Sequence, residues 1–451
     1  TYTYIIWLIL NISNEWSNGL SLRALEVTET SEGKEVTEHY ENLRLFYNGI
    51  FQDLYSINKM FLYSTSLDTP LFHSLIRAFQ KLAHAAGILS MDENLNKCLR
   101  LFSLSILMNE TPGFEASKIE QPLQSAVLNP MNESHKGSNA PENTQPIKKQ
   151  LLSRNINQRR ISLFRALISL SVSLGQALSP DSWTFVLRTW QWISYYLYGP
   201  SADFMEDFYL EDVPRPPAIG KNEVISIENS IRRLLESTIT YSDCGFRVLA
   251  ERLIYESNQT IAIGSGSAVT ATDNDPTYPF NQGVIQDCCY NKTFFITQLS
   301  ELAIFNFDRF LSTPNGWEKW KVIASYFTRL ISDRAIPAVA IRLYASKALT
   351  DIIRKTCIEI GEIEDQNLRS EKFQKSENMI IGSLIDSIDS LKVLEITKDT
   401  IYSGVVRVES EILLQILSTL KDVLNEFGDI LSSTWSTVFQ IVNSPFEWDT
   451  K

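Results

Sequence analysis

The sequence predicts an all-α chain built as a solenoid of stacked helical hairpins. Three observations predict it. Apolar residues recur every three or four positions through most of the 451 residues. A helix end, Leu-Ser, a few polar residues and a Trp recur three times. No two alternating runs are joined by a hairpin turn, and strands do not alternate with helices.

In chain order, the opening Thr-Tyr-Thr-Tyr lacks Met and runs into Ile5-Ile6-Trp7-Leu8-Ile9-Leu10. That run reads as the inside of a helix, so a piece of a longer chain is expected. It falls far short of the roughly 20 apolar residues of a spanning helix, and it lacks a basic flank and a cleavage site. Helices follow at 36–66, 70–88 and 91–108. Residues 110–150, rich in Asn, Ser, Pro, Glu and Gln, read as a solvated loop. Helices at 155–176 and 182–199 precede a second break at 199–222, which carries Pro200, Pro214, Pro216 and Pro217. Helices at 223–239 and 243–257 lead to a third break at 257–285, with Gly264-Ser-Gly266-Ser. Helices at 290–311, 317–332 and 338–360 follow, then a charged break at 361–377 and a helix at 377–394.

The clearest helix is 405–427. Val405, Val406, Ile412, Leu413, Ile416, Leu417, Leu420, Val423, Leu424 and Phe427 lay one stripe along it. Gly428 follows, where a left-handed cap is cheapest. The expected organisation is helical repeats at 1–110, a polar insert at 111–154, repeats at 155–260, a loop at 261–285 and repeats at 286–451. A single core stops growing well below this length, so the chain either splits into domains or extends by repetition, and one continuous solenoid is expected.

The recurring motif is Leu178-Ser179-Pro-Asp-Ser-Trp183, Leu311-Ser312-Thr-Pro-Asn-Gly-Trp317 and Leu431-Ser432-Ser-Thr-Trp435. Ser is expected to cap the next helix, since its hydroxyl satisfies an orphan backbone N–H. The Trp then falls in the first turn, where its apolar surface is expected to lie in the core. Val186 and Val438 follow their Trp by three residues, on the same face. A second pattern, Ile341-Arg342-x-x-Ala345-x-x-Ala348-Leu349-x-x-Ile352, matches the second helix of a HEAT or armadillo repeat. Its small Ala residues admit close helix approach, and Arg342 is placed to bond neighbouring loops.

No constellation for chemistry emerges. His39, His73, His84 and His135 lack metal-ligand spacing, and there is no CxxC or HExxH. Five cysteines, two of them adjacent at Cys288 and Cys289, read as reduced thiols. There is no Gly-x-Ser-x-Gly elbow, and Gly33-Lys34-Glu35 lacks the rest of a phosphate loop. No catalytic residue, metal or cofactor is expected. The net charge of −12 argues against duplex nucleic acid. One basic cluster stands out, formed by Lys148, Lys149, Arg154, Arg159 and Arg160. It reads either as a solvated helix flank or as a contact for anionic lipid or an acidic partner.

Several stretches resemble the central region of the Mon-two protein family. They are Leu163-Phe-Arg-Ala-Leu167 onward to Leu197, Ile231-Arg-Arg-Leu-Leu-Glu-Ser-Thr238, Tyr241-Ser-Asp-Cys-Gly-Phe246 and Phe294 to Leu302 with Asn306-Phe-Asp-Arg-Phe310. The most telling is Leu424-Asn-Glu-Phe-Gly-Asp-Ile-Leu-Ser-Ser-Thr-Trp435. The likeness covers roughly 160–447. The family is similar to the large Arf guanine-nucleotide exchange factors but lacks their catalytic Sec-seven domain. The resemblance implies a peripheral scaffold on trans-Golgi network and endosome membranes. It implies a Dopey protein, an aminophospholipid flippase and an Arf-like GTPase as partners, and it carries over no active-site residue. Two alternatives stay open: a regulatory region of a catalytic large Arf exchange factor, and a nuclear-transport receptor of HEAT repeats. Irregular helix lengths and long inserts count against the second.

Overall fold

The computed structural model describes residues 2–29, 34–63, 67–107, 157–198, 220–264, 292–313, 315–334, 336, 339–391 and 405–448. Among them lie fifteen α-helices and no strand. They are α1 (Tyr2–Glu29), α2 (Lys34–Leu62), α3 (Thr69–Ile88), α4 (Asp92–Leu107), α5 (Gln158–Leu174), α6 (Pro180–Tyr198), α7 (Lys221–Ser237) and α8 (Asp243–Gly264). After these come α9 (Phe294–Phe305), α10 (Phe307–Ser312), α11 (Gly316–Ser332), α12 (Val339–Gly361), α13 (Gln366–Leu391), α14 (Val405–Phe427) and α15 (Trp435–Trp448).

Local chemistry starts many of these helices. Asp68 accepts from Leu71 N at 3.0 Å ahead of α3, and Asn157 accepts from Arg160 N at 2.9 Å ahead of α5. Ser179 and Ser242 do the same for α6 and α8, at 3.2 Å each. Most helices pack on a neighbour in sequence and on a helix one hairpin further on. One layer stacks α1, α3, α5 and α7, and further on α11, α13 and α15. The other stacks α2, α4, α6, α8, α9, α12 and α14. Packing to the next element and the next but one is what a helical-repeat array requires. One apolar cluster runs through it from Leu10 to Ile441. Aromatic rings join the helices: Phe79 of α3 meets Phe102 of α4 at 4.7 Å, Trp190 of α6 meets Phe294 of α9 edge-on at 5.3 Å, and Phe373 of α13 stacks on Phe427 of α14 at 4.3 Å.

The structure moves several expectations. Residues 361–377, read as a solvated break, belong to α13 from Gln366 onward. Their apolar pattern is too thin to see, because Leu368 faces solvent and Phe373 alone goes inward. The turn is held instead by Asp365, which accepts from Asn367 N and Leu368 N, and by the Lys375–Glu371 pair. The helix expected at 290–311 breaks at Asn306, whose amide donates to Thr238 Oγ1 and to Leu302 O. The helix expected to stop at 257 runs on to Gly264. Gly428 is not a left-handed cap; it opens a 3-10 turn, Gly428–Ile430, with φ outside that region. The breaks at 110–150 and 199–219, and the Gly-Ser stretch from 265, lie outside the described residues.

The Leu-Ser…Trp motif is also redrawn. Its real form is a helix, a 3-10 turn, an apolar residue and Ser. The copies are Gly175–Ala177 with Leu178-Ser179, Thr238–Thr240 with Tyr241-Ser242, and Gly428–Ile430 with Leu431-Ser432. Leu311-Ser312 is not a copy, because Ser312 ends α10 and caps nothing. Trp183 is wholly buried, but Trp317 and Trp435 are 46% and 41% exposed. Trp320, one turn further on, takes the core place expected of Trp317 and donates to Ser383 Oγ at 3.0 Å.

Candidate interaction surfaces

The first candidates for chemistry are the buried charges, and the array uses them as clasps. Arg188 of α6 meets Glu256 of α8 at 2.6 Å, with both side chains fully inside. It also donates to Gln191 Oε1 and Thr260 Oγ1 and lies 5.1 Å over the Phe295 ring of α9. Glu256 accepts in addition from Arg252 and from Thr184 Oγ1. A buried charge is stable only when paired and hydrogen-bonded, and here one cluster joins three helices.

The same device recurs along the chain. Arg309 of α10 donates to the carbonyls of Thr238, Ile239 and Tyr241, which end α7 and the turn after it. It also pairs with Asp243 at 2.9 Å, which Lys319 reaches at 2.6 Å. Those two cations hold the Asp243 carboxyl below its ordinary value. Arg342, in the first turn of α12, donates to Ile331 O and to Glu409 of α14, and Arg334 shares that carboxylate. Arg342 therefore takes the place expected at the helix start, with Ala345 and Ala348 buried behind it.

Glu377 of α13 is the fourth clasp. Its carboxylate accepts from Ser432 N and Oγ, Ser433 N, and Thr434 N and Oγ1. Burial pushes this carboxyl up, but the donors from Thr434, Ser433 and Ser432 outweigh it and leave it below the ordinary value. Sequence reasoning missed Glu256, Glu377 and Glu409. The one signal was an acid on the apolar face of a helix.

Two buried thiols and one histidine are packing groups. Burial pushes the thiols of Cys98 and Cys357 up, the latter to about 12. Burial lowers His84, whose Nδ1 lies 3.0 Å from Ser21 Oγ. Among the described residues, no three His, Cys, Asp or Glu side chains are grouped to hold a metal ion.

Of the basic cluster, Lys148, Lys149 and Arg154 lie outside the described residues. Arg159 and Arg160 turn inward. Arg159 bonds Leu67 O and lies 4.8 Å over Phe72, while Arg160 is 5% exposed and lies 5.7 Å over Trp192. The structure thus does not bring these two to a common outer face.

What remains outside is grooves and apolar faces. A groove of about 490 Å³ runs between α8 and α11, past Cys244, Arg247, Glu318 and Val322. Another of similar size lies between α12 and α14, past Arg354, Ile358, Asp422 and Glu426. No helix among the described residues is long and apolar enough to cross a membrane. Among the described residues, the buried ionised groups named above are engaged in pairs and hydrogen bonds between helices.

No protein-family model matches the chain, and no solved structure matches it. The chain is similar to Protein MON2 of Saccharomyces cerevisiae, with 42% identity over 471 residues. That alignment takes in 99% of this chain and 28% of MON2, so the chain spans little more than a quarter of that relative's length. At this identity over nearly its whole length, the chain is a MON2 homologue and corresponds to a segment of a Mon2 protein.

Proposed function

We propose that this segment is a non-catalytic scaffold in membrane trafficking between endosomes and the trans-Golgi network, supporting partner proteins on membranes. The observation that carries the reading is the 42% identity to MON2 across 99% of the chain. It is supported by the buried charges Arg188, Glu256, Arg342, Glu409 and Glu377, which join one hairpin to the next. The partners proposed are those the family resemblance implied: a Dopey protein, an aminophospholipid flippase and an Arf-like GTPase. The location proposed is cytoplasmic, peripheral on trans-Golgi network and endosome membranes. Within the basic stretch, a contact with anionic lipid now rests on Lys148, Lys149 and Arg154, since Arg159 and Arg160 are engaged inside.

The test uses the full-length protein. Breaking one clasp with Arg342→Met is expected to reduce co-purification of the Dopey partner and to slow return of a recycling cargo to the Golgi. Nucleotide exchange on Arf-type GTPases should stay at background with either form. Exchange activity from the purified full-length protein, or unchanged capture and recycling after the segment is deleted, would sink the reading.

A further inference from the structure

The groove between α12 and α14 has a floor of buried Cys357 and Val423 and a lip at Ile358, which is 59% exposed. Its two walls pack on each other, so it is a furrow inside the array and not a face at an end. The walls run in the same direction: Arg342 meets Glu409, Arg354 meets Asp422, and Gly361 lies against the Glu426 side chain. The C-termini of the two helices, at Gly361 and Phe427, therefore sit side by side. The last carbonyls of both ends add partial negative charge there.

Helix ends of this kind are stabilised by Lys or Arg. Neither α12 nor α14 has a basic residue in its last turn. Glu359 and Glu426 stand there instead, and Glu362 follows just beyond α12. The nearby cations are already engaged, Arg354 with Asp422 at 3.0 Å and Arg369 with Glu426 at 2.6 Å. Among the described residues, no ion pair reaches Glu359 or Glu362. Partial burial raises the Glu359 carboxyl, and the negative charges of Asp308 and Glu362 push it the same way. The groove thus joins an apolar floor to a negative rim that the array leaves unbalanced.

The groove between α8 and α11 lacks this imbalance, because Asp243, Glu251 and Glu318 are met there by Arg247, Lys319 and Arg309. Nor does the α12–α14 rim suit a metal ion, since among the described residues no three acids are grouped to hold one. Its charge is spread along a furrow, which suits a cationic chain with apolar side chains of its own. We infer that this groove receives a basic amphipathic helix of a partner protein. The partner's apolar side chains would lie over Ile358 and Val423, and its Lys or Arg side chains against Glu359, Glu362 and Glu426. The inference rests on the scaffold reading in taking the occupant to be a protein. It holds or fails by peptide binding, whereas that reading fails by unchanged capture and recycling.

Fluorescence anisotropy of the purified full-length protein tests it. The probe is a labelled synthetic helix of about five turns, with a Leu stripe flanked by Lys. Saturable binding at micromolar peptide is expected in physiological salt, and none by the same helix with Glu in place of Lys. Glu359→Lys with Glu362→Lys should weaken binding about tenfold or more. Those substitutions put cations at a helix C-terminus, so the thermal midpoint should hold or rise and the loss is not one of folding. Ile358→Ser, at an exposed position, should also weaken binding. Glu93→Lys with Glu236→Lys, exposed on α4 and α7, makes the same charge change and should leave binding as it is. The inference is overturned by no binding, by unchanged binding in the Glu359 and Glu362 pair, by equal loss in the distant pair, or by equal binding of a helix with its Leu stripe scrambled.

Discussion

The carboxylate of Glu377 lies where α13 meets the turn before α15, with three consecutive backbone N–H groups and two hydroxyls aimed at it. Removing it with Glu377→Ala leaves those donors without their charged acceptor. The expected cost is about 3 kcal/mol. It should appear as lost hydrogen-exchange protection over 435–448, with little change at α3 and α4. The pH dependence has a definite sign. Because the folded-state value is depressed, the clasp contributes fully above the ordinary unfolded value near about 4.3 and is lost as pH falls through the lower folded value. Protection of α15 should therefore hold down to about pH 4 and weaken below it, and Glu377→Gln should remove that acid-dependent loss. Arg188 belongs to the same class. With Arg188→Met, Glu256 keeps Arg252 but loses its buried partner, and a cost of about 3 kcal/mol is expected in urea unfolding.

At the scale of the element, the 3-10 turn between helices is the unit of construction. Gly175 opens one copy with helical dihedrals, φ −53° and ψ −40°, which any residue can adopt. Space forbids a side chain there, since a Cβ would clash with the hydroxyl of Tyr241 from the next copy of the turn. Gly175→Ala should therefore destabilise by about 2 kcal/mol. Adding Tyr241→Phe, which removes the clashing oxygen, should recover part of that loss in a double-mutant cycle. Equal destabilisation with and without Tyr241→Phe would show that the hydroxyl is not the obstacle.

The elements were largely legible in the sequence, because an amphipathic helix writes its period in its apolar residues. The stripe Ile412, Ile416, Leu420, Val423 and Phe427 is buried as read. The first turns of α13 escaped because cap and charge pairs hold them rather than apolar spacing. Trp317 and Trp435 were misplaced because a motif fixes where a helix starts, not which face its first turn presents. The clasps escaped for a further reason. An acid such as Glu409 looks like a surface residue until a cation from a helix 67 residues away is seen beside it.

At the scale of the whole molecule, contacts reach the next hairpin and little further, so stability is a sum of repeat and joint terms. Unfolding of the segment in urea should depart from two-state behaviour. Arg342→Met, which frees Glu409 from one of its two cations, should uncouple α14 and α15 from the preceding helices. Exchange protection at 405–448 is then expected to fall well before that at 69–107. A uniform fall along the chain would mean a single cooperative core instead of an array.

Zero-length carbodiimide coupling of the full-length protein, read by mass spectrometry, tests the clasped two-layer array most directly. It joins only amines and carboxylates already in contact. Amides are predicted between Lys319 and Asp243, Lys355 and Glu301, and Lys372 and Asp308, which pair at 2.6, 3.0 and 2.6 Å across hairpins. The local pairs Lys97–Glu93 and Lys375–Glu371 report that the chemistry worked. Local amides without the three long-range ones, or Lys319 joined to an acid from a distant hairpin, would contradict the array.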